Sequence, residues 1–254
     1  MQFTCVCLNL WHGNLLPASI QFLKEQNADI LLLQEVYHDP DPALAECYRI
    51  LEKLTAELDY PHYNFAPVAL EKLQVGKIQE GNLVMSRFPI ASSDVHFFNN
   101  PYGESDPYDP SQYPARPRNL QHVVIDANGY ELNVYNLQGV WDLDGDRYSE
   151  QRQNMSKVMV AQTKGKQHVI LAGDTNAKPT NQAMRNLEAH LTNVFGKELK
   201  STFNMRRKTN PGYATAAVDL MYVSPDITVV EKACPDVDVS DHLPLVVTLK
   251  VGTV

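Results

Sequence analysis

Asp29-Ile-Leu-Leu-Leu-Gln-Glu35 and His168-Val-Ile-Leu-Ala-Gly-Asp174 are apolar runs from different halves of the chain, and each stops on a carboxylate. A short run with no polar alternation suits a strand covered on both faces. Two packed sheets with helices outside them satisfy both runs and bring the two carboxylate ends together. The surrounding sequence agrees with that arrangement. Strands are expected at Phe3–Leu10, Tyr63–Val68, Gly81–Ser86, Ala91–Phe98, Asn119–Asp126 and Tyr130–Leu137, the last two joined by an Asn128-Gly129 hairpin turn. Further strands fit Val218–Val223, Ile227–Glu231 and Leu243–Val251. Helices fit Pro17–Gln26, Pro42–Leu58, Asp146–Lys164 (burying Tyr148, Met155, Val158 and Met159) and a segment from Thr180. Asn99–Pro117 holds too many breakers for regular structure and reads as a long surface loop.

With 254 residues, 44% hydrophobic and 20% charged, the chain can bury a large core, and one domain over 1–254 is expected. The first residues begin directly as a strand-like run without a basic n-region or cleavage site, and no stretch nears the roughly 18 apolar residues of a membrane span. A soluble, cytoplasmic monomer is therefore the expectation. Cys5 and Cys7 point to one strand face and lack nearby ligand partners, so they read as core rather than zinc ligands. The net charge of −8 argues against bulk electrostatic capture of nucleic acid. It suits a site that concentrates cations.

Asn9, Glu35 and the Gly173-Asp174-Thr175-Asn176 segment each end an apolar strand. Asp219 lies inside one, where an unpaired carboxylate is expensive, and Ser240-Asp241-His242 precedes the last. Such a set suits phosphoryl chemistry around a hard cation. Mg²⁺ takes one or two carboxylates and keeps several waters, which fits Glu35 with help from Asn9 and Asp241. Asp174 can orient or deprotonate a water, Asn176 can hold that water or a phosphate oxygen, and Asp219 can fix His242 as an imidazolium.

At these residues the chain resembles the endonuclease/exonuclease/phosphatase superfamily. The matching pieces are Leu8-Asn-Leu-Trp11, Leu33-Gln-Glu-Val36, Gly81-Asn-Leu-Val-Met-Ser86, Gly173-Asp-Thr-Asn176 and Ser240-Asp-His242, in the family's order. The resemblance implies a four-layer α/β/β/α sandwich with a divalent-metal site across the top of its two sheets, and Mg²⁺ as cofactor, with Mn²⁺ or Ca²⁺ as substitutes. It implies Glu35 as metal ligand beside Asn9 and Asp241. Asp174, Asn176, His242 and Asp219 are implied in catalysis, with Glu80 resembling a glutamate that supports a second catalytic histidine. Asn9, Asn82, Arg118 and Asn136 are implied in substrate binding, Arg116 being a rival to Arg118. That second histidine is missing: Gln138 stands where an imidazole would donate a proton to the leaving group. A glutamine cannot deliver that proton, so the leaving group needs no acid, the reaction is slower, or another donor such as Tyr135 or a water serves.

Phosphodiester hydrolysis is the leading expectation, with nucleic acid the first substrate. A phospholipid or a sugar or inositol phosphate is the alternative, and a non-catalytic phosphate- or nucleic-acid-binding module is a third reading. His12 could line the cleft, Arg206-Arg207-Lys208 could meet a polyphosphate or be solvated, and Tyr102, Tyr108, Tyr113 and Trp141 could stack a base or cover sheet edges.

Overall fold

The computed structural model describes residues 1–142 and 145–252. Two mixed sheets pack face to face, their strands numbered in chain order. The seven-stranded sheet runs β12 (Thr228–Ala233), β13 (Leu245–Lys250), β1 (Gln2–Asn9), β2 (Ile30–His38), β4 (Gly76–Ser86), β3 (His62–Leu73), β6 (Glu104–Ser105). The six-stranded sheet runs β10 (Thr192–Asn193), β11 (Asp219–Val223), β9 (Val169–Asp174), β8 (Tyr130–Gln138), β7 (Asn119–Ala127), β5 (Ile90–Phe97). β1 and β2 are parallel, as are β8 and β9.

Strand parity explains the apolar runs. Cys5, Cys7, Ile30 and Leu32 meet Val134, Ile170 and Ala172 in the core between the sheets. The alternate residues Val6, Leu8, Leu31 and Leu33 face outward onto Ile20 and Leu23 of α1 (Leu16–Gln26) and Leu51 and Leu54 of α2 (Ile50–Glu57). On the other sheet Val169 and Leu171 meet Met155 and Met159 of α3 (Glu150–Thr163) and Met184 of α4 (Gln182–Arg185). Every face of these strands is covered, so no position calls for a polar residue until the strand ends. Cys5 and Cys7 are buried core thiols, both pushed upward in pKa first by that burial. No helix among the described residues is long and apolar enough to cross a membrane.

Several boundaries differ from the sequence reading. The helix expected over Pro42–Leu58 starts only at Ile50, because Asp39 and Asp41 accept from the amides of Asp41 and Ala43 and hold that stretch in turns. α3 begins after Ser149, whose hydroxyl caps it, which leaves Tyr148 outside the helix and exposed and Val158 only half-buried. The helix expected from Thr180 is a short one capped by Asn181. β3 and β4 run on into a long hairpin, and the loop at Asn99–Pro117 contains β6 and a 3-10 turn at Pro110–Ala115.

Candidate active site

The C-terminal ends of β1, β2, β8 and β9 and the N-terminal ends of β7, β11 and β13 meet at one edge of the sandwich. A cleft of about 670 Å³ opens there, lined by Glu35, Arg118, Gln138, Asp174, Asn176, Asp241 and His242. Ladder register aligns Asp174 with Asp219 on one side and Gln138 on the other. A side chain at Gly139 would drive its Cβ to within 2.1 Å of the Thr175 carbonyl, so glycine lets the ends of β8 and β9 close up.

Glu35 enters the cleft through a backbone irregularity. The β2–β4 register slips between Leu33 and Val36, and Glu35 adopts φ +56°, a conformation that L residues seldom take. That bulge turns the carboxylate out of the strand pleat, where it accepts from Asn9 Nδ2 (3.0 Å) and Gln138 Nε2 (2.6 Å) and pairs with His12 Nδ1 (3.1 Å). Burial pushes Glu35 upward, but His12 and the Asn9 amide outweigh it and hold the carboxyl at about 2.

Asn9 ties this carboxylate to the next, donating also to Asp174 Oδ2 (3.1 Å). Asp174 Oδ1 accepts from the Asn176 backbone amide (3.0 Å). Burial raises Asp174 to about 6, with Asp219 and Glu35 adding to the shift and His242 opposing it. His242 Nδ1 lies 2.8 Å from Asp219 Oδ2. Burial alone lowers His242, yet Asp219 and Asp174 raise it to about 10, so the ring is an imidazolium at neutral pH. Ser240 Oγ donates to the Asn9 carbonyl (2.6 Å), pinning the Asp241–His242 loop to the end of β1.

Other expected residues take different places. Gln138 bridges Arg118 Nη1 (2.6 Å) and Glu35. Glu80 meets two arginines, Arg116 Nη2 at 3.2 Å and Arg118 Nη1 at 3.7 Å, with His12 Nε2 at 4.0 Å, and burial raises it to about 7. Asn82 and Asn136, expected to bind substrate, do not line the cleft. Each follows the face of Glu80 or Gln138 but lies one rung deeper, fully buried between the sheets. Asn136 donates to the carbonyls of Leu33 and Leu83 and accepts from Gln34, and Asn82 donates to Asn119. These amides form a hydrogen-bonded floor under the site. Tyr135, offered as an alternative proton donor, is fully buried against the helices and donates to the Gln162 carbonyl. Asn9 keeps its place beside Glu35, but its Oδ1 accepts from the Trp11 amide, so it presents N–H groups to the carboxylates.

The structure also brings in residues that the sequence left in the background. His12, at φ +48°, stacks on Tyr37 (4.7 Å between centroids) and bridges from Glu35 toward Glu80. Arg116 is locked against buried Glu71, which also accepts from the Tyr37 hydroxyl. Arg152, 1% exposed, donates to the carbonyls of Val140, Gly145, Arg147 and Asn176, bracing the loops after β8 and β9. It lies in the first turn of a helix that the sequence reads only by its apolar spacing, which gives no sign of its partners in the loops. Trp141 and Tyr113 pack at 4.9 Å, and Phe203 and Tyr213 at 4.6 Å, so both pairs add aromatic surface to the cleft.

Two compact trios of acidic and histidine groups among the described residues could hold a metal: Asp174–Asp219–His242 and His12–Glu71–Glu80, each with ligand atoms within 4.8 Å of one another. The first is engaged by the Asp219–His242 pair, and Arg116 already meets the acids of the second. Neither contains Glu35 or Asp241. Those two carboxylates both line the cleft, Glu35 being held ionised chiefly by His12 and the Asn9 amide, and a pair of carboxylates is the donor set a hard cation that keeps its waters takes. Asp219 Oδ1, on the carboxylate whose other oxygen meets His242, is buried without a hydrogen-bond partner among the described residues.

The profile of the endonuclease/exonuclease/phosphatase family matches residues 7–242. An endonuclease/exonuclease/phosphatase from Beutenbergia cavernae DSM 12333 superposes with a TM-score of 0.74 at 19% identity, covering 99% of this chain and 72% of its own. The mannosyl-6-phosphatase Bt3783 of Bacteroides thetaiotaomicron VPI-5482 gives 0.72 at 19% identity, covering 98% of this chain and 99% of its own. D. rerio TDP2 complexed with a single-strand DNA product gives 0.69 at 18%, covering 98% and 99%. At these identities the likeness is one of fold. No curated protein sequence matches the chain.

Proposed function

Because the chain belongs to the endonuclease/exonuclease/phosphatase family, whose members hydrolyse phosphoesters and generally depend on a divalent metal, we propose that it cleaves phosphodiester bonds with Mg²⁺. The observation that carries this reading is the convergence of Glu35, Asp174 and the Asp219–His242 pair, from separated strands, on one cleft, with Asn9 joining the two carboxylates. Glu35 would hold the cation with Asp241 alongside, and the bound ion would neutralise phosphate charge and acidify the attacking water.

The protein groups divide the remaining work. Asp174, its carboxylate held by Asn9 and the Asn176 amide, orients the water and accepts its proton. His242 has its Nδ1 on Asp219, which leaves Nε2–H to donate to a phosphate oxygen as charge builds. Arg118, steered by Gln138 and Glu80, reaches the same phosphate. Gln138 supplies no proton, so the substrate suited to this site has a leaving group that departs without a general acid.

Nucleic acid is the first substrate to test, but one observation favours a small phosphodiester, such as a headgroup or sugar phosphate. Arg206 and Arg207, the exposed neighbours in sequence of the cleft residue Lys208, are each held by an aspartate, Asp236 and Asp238. The net charge of −8 likewise weighs against electrostatic capture of a long polyanion. The test is a screen of phosphomono- and diesters, single- and double-stranded nucleic acids and lysophospholipids with Mg²⁺ or Mn²⁺, repeated with EDTA. Metal-dependent hydrolysis of bis-p-nitrophenyl phosphate is expected. No hydrolysis of any substrate, or a rate that EDTA leaves intact, contradicts the reading.

A further inference from the structure

Lys208 is the one member of its basic triplet that lines the cleft. Its ammonium lies 2.6 Å from Asp241 Oδ2, and its side chain is 30% exposed whereas that of Asp241 is 3% exposed. The rings of Phe203 and Tyr213 stand 5.9 and 5.5 Å from the same nitrogen. Phe203 in turn packs on His242 at 4.6 Å, which places the ammonium beside the group assigned to the phosphate.

Asp241 does not need this lysine to hold its place. Its carbonyl accepts from the Asn204 amide (2.8 Å), and the preceding Ser240 is fastened to β1. The ion pair therefore calls for another account. A carboxylate at the edge of a cation site is neutralised by a mobile ammonium, and a divalent ion arriving there must share or displace that charge. Lysine suits displacement, because its compact ammonium pivots on a flexible stem and donates in any direction, which an arginine fork does not. The two aromatic faces offer the freed ammonium a second attractive surface.

We propose that Lys208 exchanges partners: it occupies Asp241 in the metal-free protein and turns to a phosphate oxygen of the substrate once a divalent cation takes that carboxylate. The inference rests on the phosphoesterase reading and adds to it a substrate-binding cation that becomes available only when the metal is in place. Binding of metal and of phosphate then become coupled through one side chain.

The test is calorimetric titration of Mn²⁺, and then of inorganic phosphate into the Mn²⁺-loaded protein, for wild type, Lys208→Met, Lys208→Arg, Asp241→Asn and the Lys208→Met/Asp241→Asn pair. Lys208→Met is expected to bind Mn²⁺ about tenfold more tightly and phosphate about tenfold more weakly, on the scale of one close charge pair in a partly buried site. Lys208→Arg keeps the charge but clamps Asp241 with a fixed fork, so it should bind Mn²⁺ no more tightly than wild type, and more weakly if the fork resists displacement. In the Asp241→Asn background the gain in Mn²⁺ affinity should vanish. A merely structural lysine would shift both affinities in one direction or neither. Unchanged or weaker Mn²⁺ binding in Lys208→Met, a gain that persists without Asp241, or undiminished phosphate binding each overturns the exchange. If the wild type binds Mn²⁺ and hydrolyses esters while the variants behave this way, the exchange alone fails; if it does neither, the phosphoesterase reading fails with it.

Discussion

Asp174→Asn is expected to lower kcat by about 10³-fold, the middle of the range for a positioned general base, while leaving KM within a few-fold. The substitution preserves shape, so the β9 end and the Asn176 turn should survive. What changes is the charge that takes the proton, and the second lone-pair site facing Asn9, whose N–H now meets an amide. Single-turnover hydrolysis of the best ester from the screen, with Mg²⁺ saturating, measures the loss directly. Equal urea midpoints for variant and wild type would show that the loss is chemical. A rate within tenfold of wild type would remove Asp174 from the reaction.

The largest expected stability effect lies outside the cleft, at Arg152. Arg152→Met fills nearly the same volume but withdraws donors from four buried or half-buried carbonyls and from Asp146, 3.7 Å away. Breaking a buried charged network from one side costs about 3–5 kcal/mol, because the abandoned partners stay desolvated. Urea denaturation should record a loss of that order. Since one of those carbonyls belongs to Asn176 and another to Val140, the loops after β9 and β8 should also loosen, and kcat should fall in the fraction that remains folded. A loss below about 1 kcal/mol would mean that water replaces the guanidinium at little cost.

Much of this architecture is legible in the sequence because strand burial is total. The runs leading to Glu35 and Asp174 are apolar except for buried Gln34; Asp174 ends β9, whereas β2 runs on to His38 and Glu35 marks the bulge at which it opens onto the cleft. Asp219 was readable for the same reason, as a charge inside an apolar strand that requires a partner, and His242 supplies it. Asn82 and Asn136 lie deeper than the motifs suggest, because adjacency to a motif does not say how deep a residue lies along a face. One rung toward the centre turns a cleft residue into an inter-sheet amide. His12, Arg116 and Lys208 are open alternatives in the sequence for a different reason. Each reaches the cleft from a loop, and their partners Glu35, Glu71 and Asp241 lie far away along the chain, so no local spacing announces them. The backbone irregularity at Glu35 is likewise invisible in composition, since nothing but the β4 pairing reveals the slip.

The proposed hydrolysis requires Glu35 to hold a divalent cation at the mouth of the two sheets. Calorimetric titration of Mn²⁺ into wild type and Glu35→Gln tests this most directly, independent of any substrate. Loss of mere supporting contacts around a metal ligand typically weakens binding about 10–100-fold, so removal of the ligand's charge should weaken it at least that much. Saturable Mn²⁺ binding by the wild type that falls at least tenfold in Glu35→Gln is the predicted result. The same affinity in both proteins would contradict it.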